Sequence, residues 1–166
     1  MHLNIIGRLQ EVVSISGVFD FYWCTNSIIA VALADGVPKF FELFEEKLVE
    51  IQVLCEEAFD MTLSITGSLE NLITCDSRVF LRLISFQEAK LDVISQWQGH
   101  ESEIWYVAKD LHDKNLFFSC ADEGALKAWD LRSLEAPVLF DKRTHEAGVC
   151  CASSNPHEEF IFATGS

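Results

Sequence analysis

His100, Ser119 and Glu123 bring a base, a nucleophile and an acid into one short stretch of this chain, and Trp129 follows with an indole N–H. A histidine that takes a proton from a serine hydroxyl, while a carboxylate orients its ring, is the arrangement that activates serine against esters and amides. The same groups can instead satisfy one another. The imidazole bonds the acidic turn residue, Glu123 or its neighbour Asp122, on one side and the serine on the other, and the indole supplies a further donor. A closed polar network of that kind fastens strands. The structural role takes precedence, because these residues bracket a repeating unit. Two more carboxylates, Glu101 and Glu103, follow the histidine and are candidates for a base or for holding a cation, with the aromatic face of Trp105 beside them. The competing expectation is that Trp105 is core and both glutamates are surface.

Other chemistries lack their residues. The eight glycines include no Gly-x-Gly pair, so no nucleotide loop and no cofactor are expected, and no Gly-x-Ser-x-Gly elbow occurs. The six cysteines, at 24, 55, 75, 120, 150 and 151, form no Cys-x-x-Cys pair, and no Cys/His group has zinc spacing. No metal site is expected. With no export signal in MHLNIIGRLQ, the cysteines read as reduced thiols filling the core of a cytoplasmic protein. Cys150 and Cys151 would point to opposite faces of a strand, which argues for packing.

The elements that must hold these residues are short strands. After Gly99-His100, residues 104–108 (IWYVA), 116–120 (LFFSC) and 125–129 (ALKAW) are β-prone runs separated by polar turns. APVLF at 136–140 is a possible fourth. Four short antiparallel strands between a Gly-His and shortly after a Trp-Asp make one propeller blade. A blade needs neighbours, and the sequence supplies them. An offset of 45 carries His100 onto His145 and Ser119 onto Thr164. Upstream, VALADG (31–36) before KFFELF (39–44), and LITCDS (72–77) before VFLRLI (79–84), repeat the strand, acidic turn, strand pattern. The expected fold is all-β, a partial WD-repeat propeller of about three and a half four-stranded blades. The blades are placed at about 14–45, 46–90 and 91–140, with a half-blade at 141–166. Closing a ring takes typically four to eight blades. The expectation is therefore a fragment or short isoform of a longer protein, or, less favoured, two copies sharing one ring.

Charge narrows the partners. Twelve basic against twenty-six acidic residues give a net charge of −14, which opposes nucleic-acid binding. The longest apolar run, residues 28–34, falls far short of a membrane span. Between Glu42 and Asp60 seven carboxylates meet only Lys47, which reads as a solvated face or, alternatively, a docking surface for a basic partner.

WQGHESEIW (97–105), GALKAWDLR (124–132) and KRTHEAGVCCASSNPHEEFIFATGS (142–166) together resemble the WD-repeat diphthine methyltransferase family, also described as diphthine methyl ester hydrolases. The resemblance is closest from about 91 to 166, and SGVFDFYW (16–23) shares it loosely. WD repeats usually carry Asp where this chain has Glu123, so the staple's geometry becomes a point to check. The resemblance implies an enzyme of diphthamide biosynthesis, a carboxyl methyl ester hydrolase acting on a modified histidine of elongation factor 2. That intermediate carries a fixed trimethylammonium group, which would suit Glu101, Glu103 and Trp105. The resemblance does not say which residues are catalytic; His145 and His157 fit staple and loop roles better. The alternative is a non-enzymatic WD-repeat scaffold for protein–protein interaction.

Overall fold

The computed structural model describes residues 16–56 and 59–166. Residues 1–10, 14–15 and 57–58, which carry the N-terminal, first-blade and acidic-segment expectations, lie outside them. No helix occurs among the described residues. The first sheet holds β1 (Val18–Trp23), β2 (Ile28–Leu33), β3 (Lys39–Phe44) and β4 (Lys47–Ile51) in that order. The second holds β5 (Thr62–Ser68), β6 (Asn71–Asp76), β7 (Phe80–Gln87) and β8 (Lys90–Gln98). The third holds β9 (Ile104–Lys109), β10 (Leu116–Ala121), β11 (Leu126–Asp130) and β12 (Leu139–Asp141), and a hairpin of β13 (Cys151–Ser154) and β14 (Phe162–Gly165) follows. All ladders are antiparallel. The first strands of successive sheets, β1, β5, β9 and β13, lie side by side and line the propeller axis.

The blade boundaries fall later than the sequence suggests. β4 pairs with β3 through Phe44↔Lys47, and β8 pairs with β7 through Gln87↔Lys90, so both belong to the preceding blade. The reason lies in the turns. Glu45-Glu46 and Glu88-Ala89 have positive φ at both residues (46° and 65°, 49° and 59°), the conformation of a two-residue hairpin turn. Such turns normally announce themselves with Asn-Gly or Asp-Gly. Here neither pair contains glycine, and the hairpins read as blade ends.

The core forms between sheets. Leu63, Ile73, Leu81 and Leu83 of the second sheet meet Ile104, Val107, Phe117 and Trp129 of the third. Trp97 closes this layer edge-on to Trp129, with ring centroids 5.7 Å apart. Between the first two sheets Phe40 stacks on Phe86 at 3.9 Å, and Phe118 meets Phe162 at the hairpin. Each fully buried side chain among these contributes roughly 1.5–3 kcal/mol, and Trp97 and Phe162, which are half-buried, contribute less. In place of a His staple, the second blade carries a buried ion pair. Arg82 reaches Asp76 at 2.7 Å, donates to Gln96 Oε1 at 2.7 Å and lies over the Phe59 ring.

The cysteines divide. Cys75 and Cys120 are buried and Cys24 and Cys55 half-buried, whereas Cys150 and Cys151 are exposed. The expectation that these two thiols help fill the core is corrected: Cys151 is exposed because Ala152 and Ser154 take the buried face of β13, and Cys150, just before the strand, is exposed as well.

Candidate functional site

His100 enters the third blade from the loop before β9 and is 2% exposed. Its Nδ1 lies 2.7 Å from Glu123 Oε1 in the β10–β11 turn, and its Nε2 lies 2.7 Å from Ser119 Oγ on β10. Trp129 on β11 donates its indole N–H to the same Oγ at 2.8 Å. Because a carboxylate only accepts, Nδ1 carries the proton of the neutral ring and donates it to Glu123, and Nε2 then accepts the Ser119 hydroxyl. Burial pushes the His100 imidazole down to about 4, so it is neutral at pH 7. Burial alone would raise the Glu123 carboxyl. The hydrogen bonds from His100 and from the Glu101 and Ser102 amides outweigh it and leave the carboxyl below its ordinary value.

Indole, serine, imidazole and carboxylate thus form one directed chain, and its last three members repeat the order of a nucleophile, base and orienting acid. Ser119, however, is 0% exposed, and its oxygen already accepts a proton from Trp129. No ester can reach it, and the array joins strands. The added methylene of Glu123 fits, since both carboxylate oxygens find donors. Asp122 does not take its place. Its Oδ1 accepts the Trp105 indole N–H at 3.4 Å, and its amide bonds the Glu103 carbonyl. His145 Nε2 lies 2.8 Å from Thr164 Oγ1, the pair that the 45-residue offset marks. His157 stands in the loop after Asn155, whose side chain accepts its amide.

The weaker candidates lie at the surface. Glu101 has an 81% exposed side chain, 3.6 Å from Lys142. Glu103 is half-buried. Trp105, at 40% exposed, is not the core residue that the competing expectation made it, because the β9 residues that face the neighbouring sheet's core are Ile104 and Val107.

Sequence reasoning missed the polar links between the inner strands. Asp20 on β1 accepts the Ser64 hydroxyl of β5 at 2.5 Å and the Ile65 amide at 3.2 Å, and Ser64 Oγ accepts the Val107 amide of β9 at 3.3 Å. Asp110 and Ser154 form a similar link to the last hairpin. The polar residue in FDFYW, alternating with aromatics, was the available signal. Beside this link lies a cavity of about 150 Å³, bounded among others by Asp20, Tyr22, Thr66, Tyr106, Lys109 and Ser153. Among the described residues no His/Cys/Asp/Glu group could hold a metal ion.

Comparison with known proteins agrees with these features. No protein-family model matches the chain. Diphthine methyltransferase of Homo sapiens is 29% identical over 172 residues, which cover 91% of this chain and 38% of that protein. The Mus musculus protein of the same name is 31% identical over 91% of this chain and 36% of its own length. A Dictyostelium discoideum diphthine methyltransferase homolog is 26% identical over 98% of this chain and 50% of its own length. Among solved structures, a chain of a mitotic checkpoint complex superposes with a TM-score of 0.74 over 89% of this chain and 44% of its own, at 19% identity, a likeness of fold alone. The chain spans between 36% and 50% of the length of these curated relatives. Its sequence matches these diphthine methyltransferases over nine-tenths of its residues and over a third to a half of theirs, and its blades follow one another in the expected order.

Proposed function

We propose that this chain supplies propeller blades to an enzyme of diphthamide biosynthesis, which hydrolyses the methyl ester of over-methylated diphthine on elongation factor 2. The observation that carries this reading is 31% identity to a diphthine methyltransferase across 91% of the chain. Hydrolysis rather than methyl transfer is favoured because the glycine spacing offers no nucleotide-binding loop. Elongation factor 2 is then the protein substrate and the cytoplasm the setting, in keeping with the lack of disulfides among the described residues. Residues 1–166 alone have little or no activity in this reading, because they span at most half of the relatives' length.

The test is methanol release from methylated diphthine on elongation factor 2, measured for a full-length relative and for residues 1–166. Release by the relative and little by the chain is the expected result. A relative that releases no methanol defeats the hydrolase reading. Restoration of diphthamide by residues 1–166 in cells lacking the enzyme defeats the claim of low activity. A scaffold role in protein–protein interaction is the second reading. It is favoured by the burial of Ser119, which leaves the triad-like array no access to substrate.

A further inference from the structure

The axial cavity holds two opposite charges that do not neutralise each other. Asp20 receives hydrogen bonds from Ser64, Ile65 and Phe21, all from uncharged groups. Lys109 stands with its ammonium 5.2 Å from the Tyr22 ring centroid. Among the described residues neither takes part in an ion pair. Burial holds the Asp20 carboxyl above its ordinary value even with those three donors, so its charge is undercompensated. Burial, followed by the nearby Asp20 charge, likewise pushes the Tyr106 phenol up, and both side chains border this cavity.

A partly enclosed carboxylate and a partly enclosed ammonium on one small cavity favour a ligand that brings the complementary charge to each. Two tyrosines add aromatic surface, which suits an alkylated cation. The volume, about 150 Å³, lies below the roughly 300–1,000 Å³ of pockets for drug-sized ligands. It fits a head group, not a nucleotide.

We infer that this cavity, at the meeting of β1, β5, β9 and β13, binds a small betaine-like head group, its quaternary ammonium against Asp20 and Tyr106 and its carboxyl oxygen on Lys109. The inference rests on the proposed function for the identity of the natural ligand, since diphthine, the product of that hydrolysis, carries both a trimethylammonium and a free carboxylate on one side chain. The charge arrangement itself does not depend on that reading.

The test is an NMR titration of residues 1–166 with glycine betaine, with tetramethylammonium and acetate as half-ligands. Shifts are expected to gather at Tyr22, Tyr106 and Lys109. Betaine should bind about tenfold more tightly than either half-ligand, the worth of one charge-assisted contact. Lys109→Gln should reduce betaine to the level of tetramethylammonium, and Lys109→Arg should retain most of its affinity. Equal binding of the three probes, shifts centred elsewhere, or an indifferent Lys109→Gln overturns the assignment. If Lys109→Gln does not fold, Tyr106→Leu takes its place, and unchanged betaine binding in that variant overturns it as well. Betaine binding at Lys109 with no methanol release by a full-length relative leaves the site standing and removes the hydrolase. Methanol release by the relative, with no betaine binding here, does the reverse.

Discussion

Replacing Ser119 by alanine tests whether the His100 array is structural. The substitution deletes one buried oxygen and strands two partners, the His100 Nε2 acceptor and the Trp129 indole donor, both in side chains at most 3% exposed. Each buried polar group left unpaired costs about 1–3 kcal/mol, so the expected loss is about 2–6 kcal/mol. A domain has roughly 5–15 kcal/mol in all, so the change is large. Ser119→Thr is the companion variant. The offset that aligns the two blades puts Thr164 at this position, bonded to His145 at 2.8 Å. A hydroxyl is kept but a methyl is added at a fully buried site, so a loss of about 1–3 kcal/mol, below that of Ser119→Ala, is expected. Urea unfolding followed by tryptophan fluorescence measures both variants, and Trp129→Phe completes a double-mutant cycle with Ser119→Ala. A coupling of about 1–2 kcal/mol is expected for groups in one network. A Ser119→Ala loss under 1 kcal/mol, or strictly additive single changes, would refute the claim that this network holds the blade together.

Two further outcomes follow from the buried charges. Because burial depresses the folded-state His100 value to about 4, against an ordinary 6.5, the unfolded chain takes up the proton first as pH falls. The stability tied to the neutral ring is complete above about pH 6.5 and is lost as pH falls toward 4, roughly 3 kcal/mol in all. NMR should find the His100 ring neutral at pH 5.5, and a midpoint near 6.5 would contradict this. Arg82→Met leaves Asp76 buried without its cation and should cost about 3–5 kcal/mol in urea unfolding, much of it recovered by adding Asp76→Asn. A single variant as stable as the parent would show that the pair does not anchor the second blade.

The third blade was legible because its signals are redundant. Gly99-His100, the alternating strands and Trp129-Asp130 all point to one register, and His145 repeats the pattern. The outer strands were not, because Glu45-Glu46 and Glu88-Ala89 adopt left-handed turns without the glycine that usually reveals them. Of the site, the array around His100 could be read from residue types and spacing, since all its members belong to one blade. The axial cavity could not. Asp20, Ser64, Tyr106 and Lys109 come from three sheets, and only the side-by-side order of β1, β5 and β9 brings them together. Nor does the alternation of residues 104–109 reveal that Trp105 faces outward, because both faces of an inner strand carry apolar side chains.

The Asp20, Ser64 and Val107 link bears on how the molecule comes apart. Stacked repeats that touch only their nearest neighbours can lose one unit at a time, each opening at its own free energy. A carboxylate on the first sheet that grips a hydroxyl on the second, which in turn accepts an amide of the third, removes that independence. Fraying at either end must then break a bond held in common by three modules. Amide protons of β1, β5 and β9 should accordingly exchange with solvent as one cooperative group, and Ser64→Ala should split that group into separately opening parts.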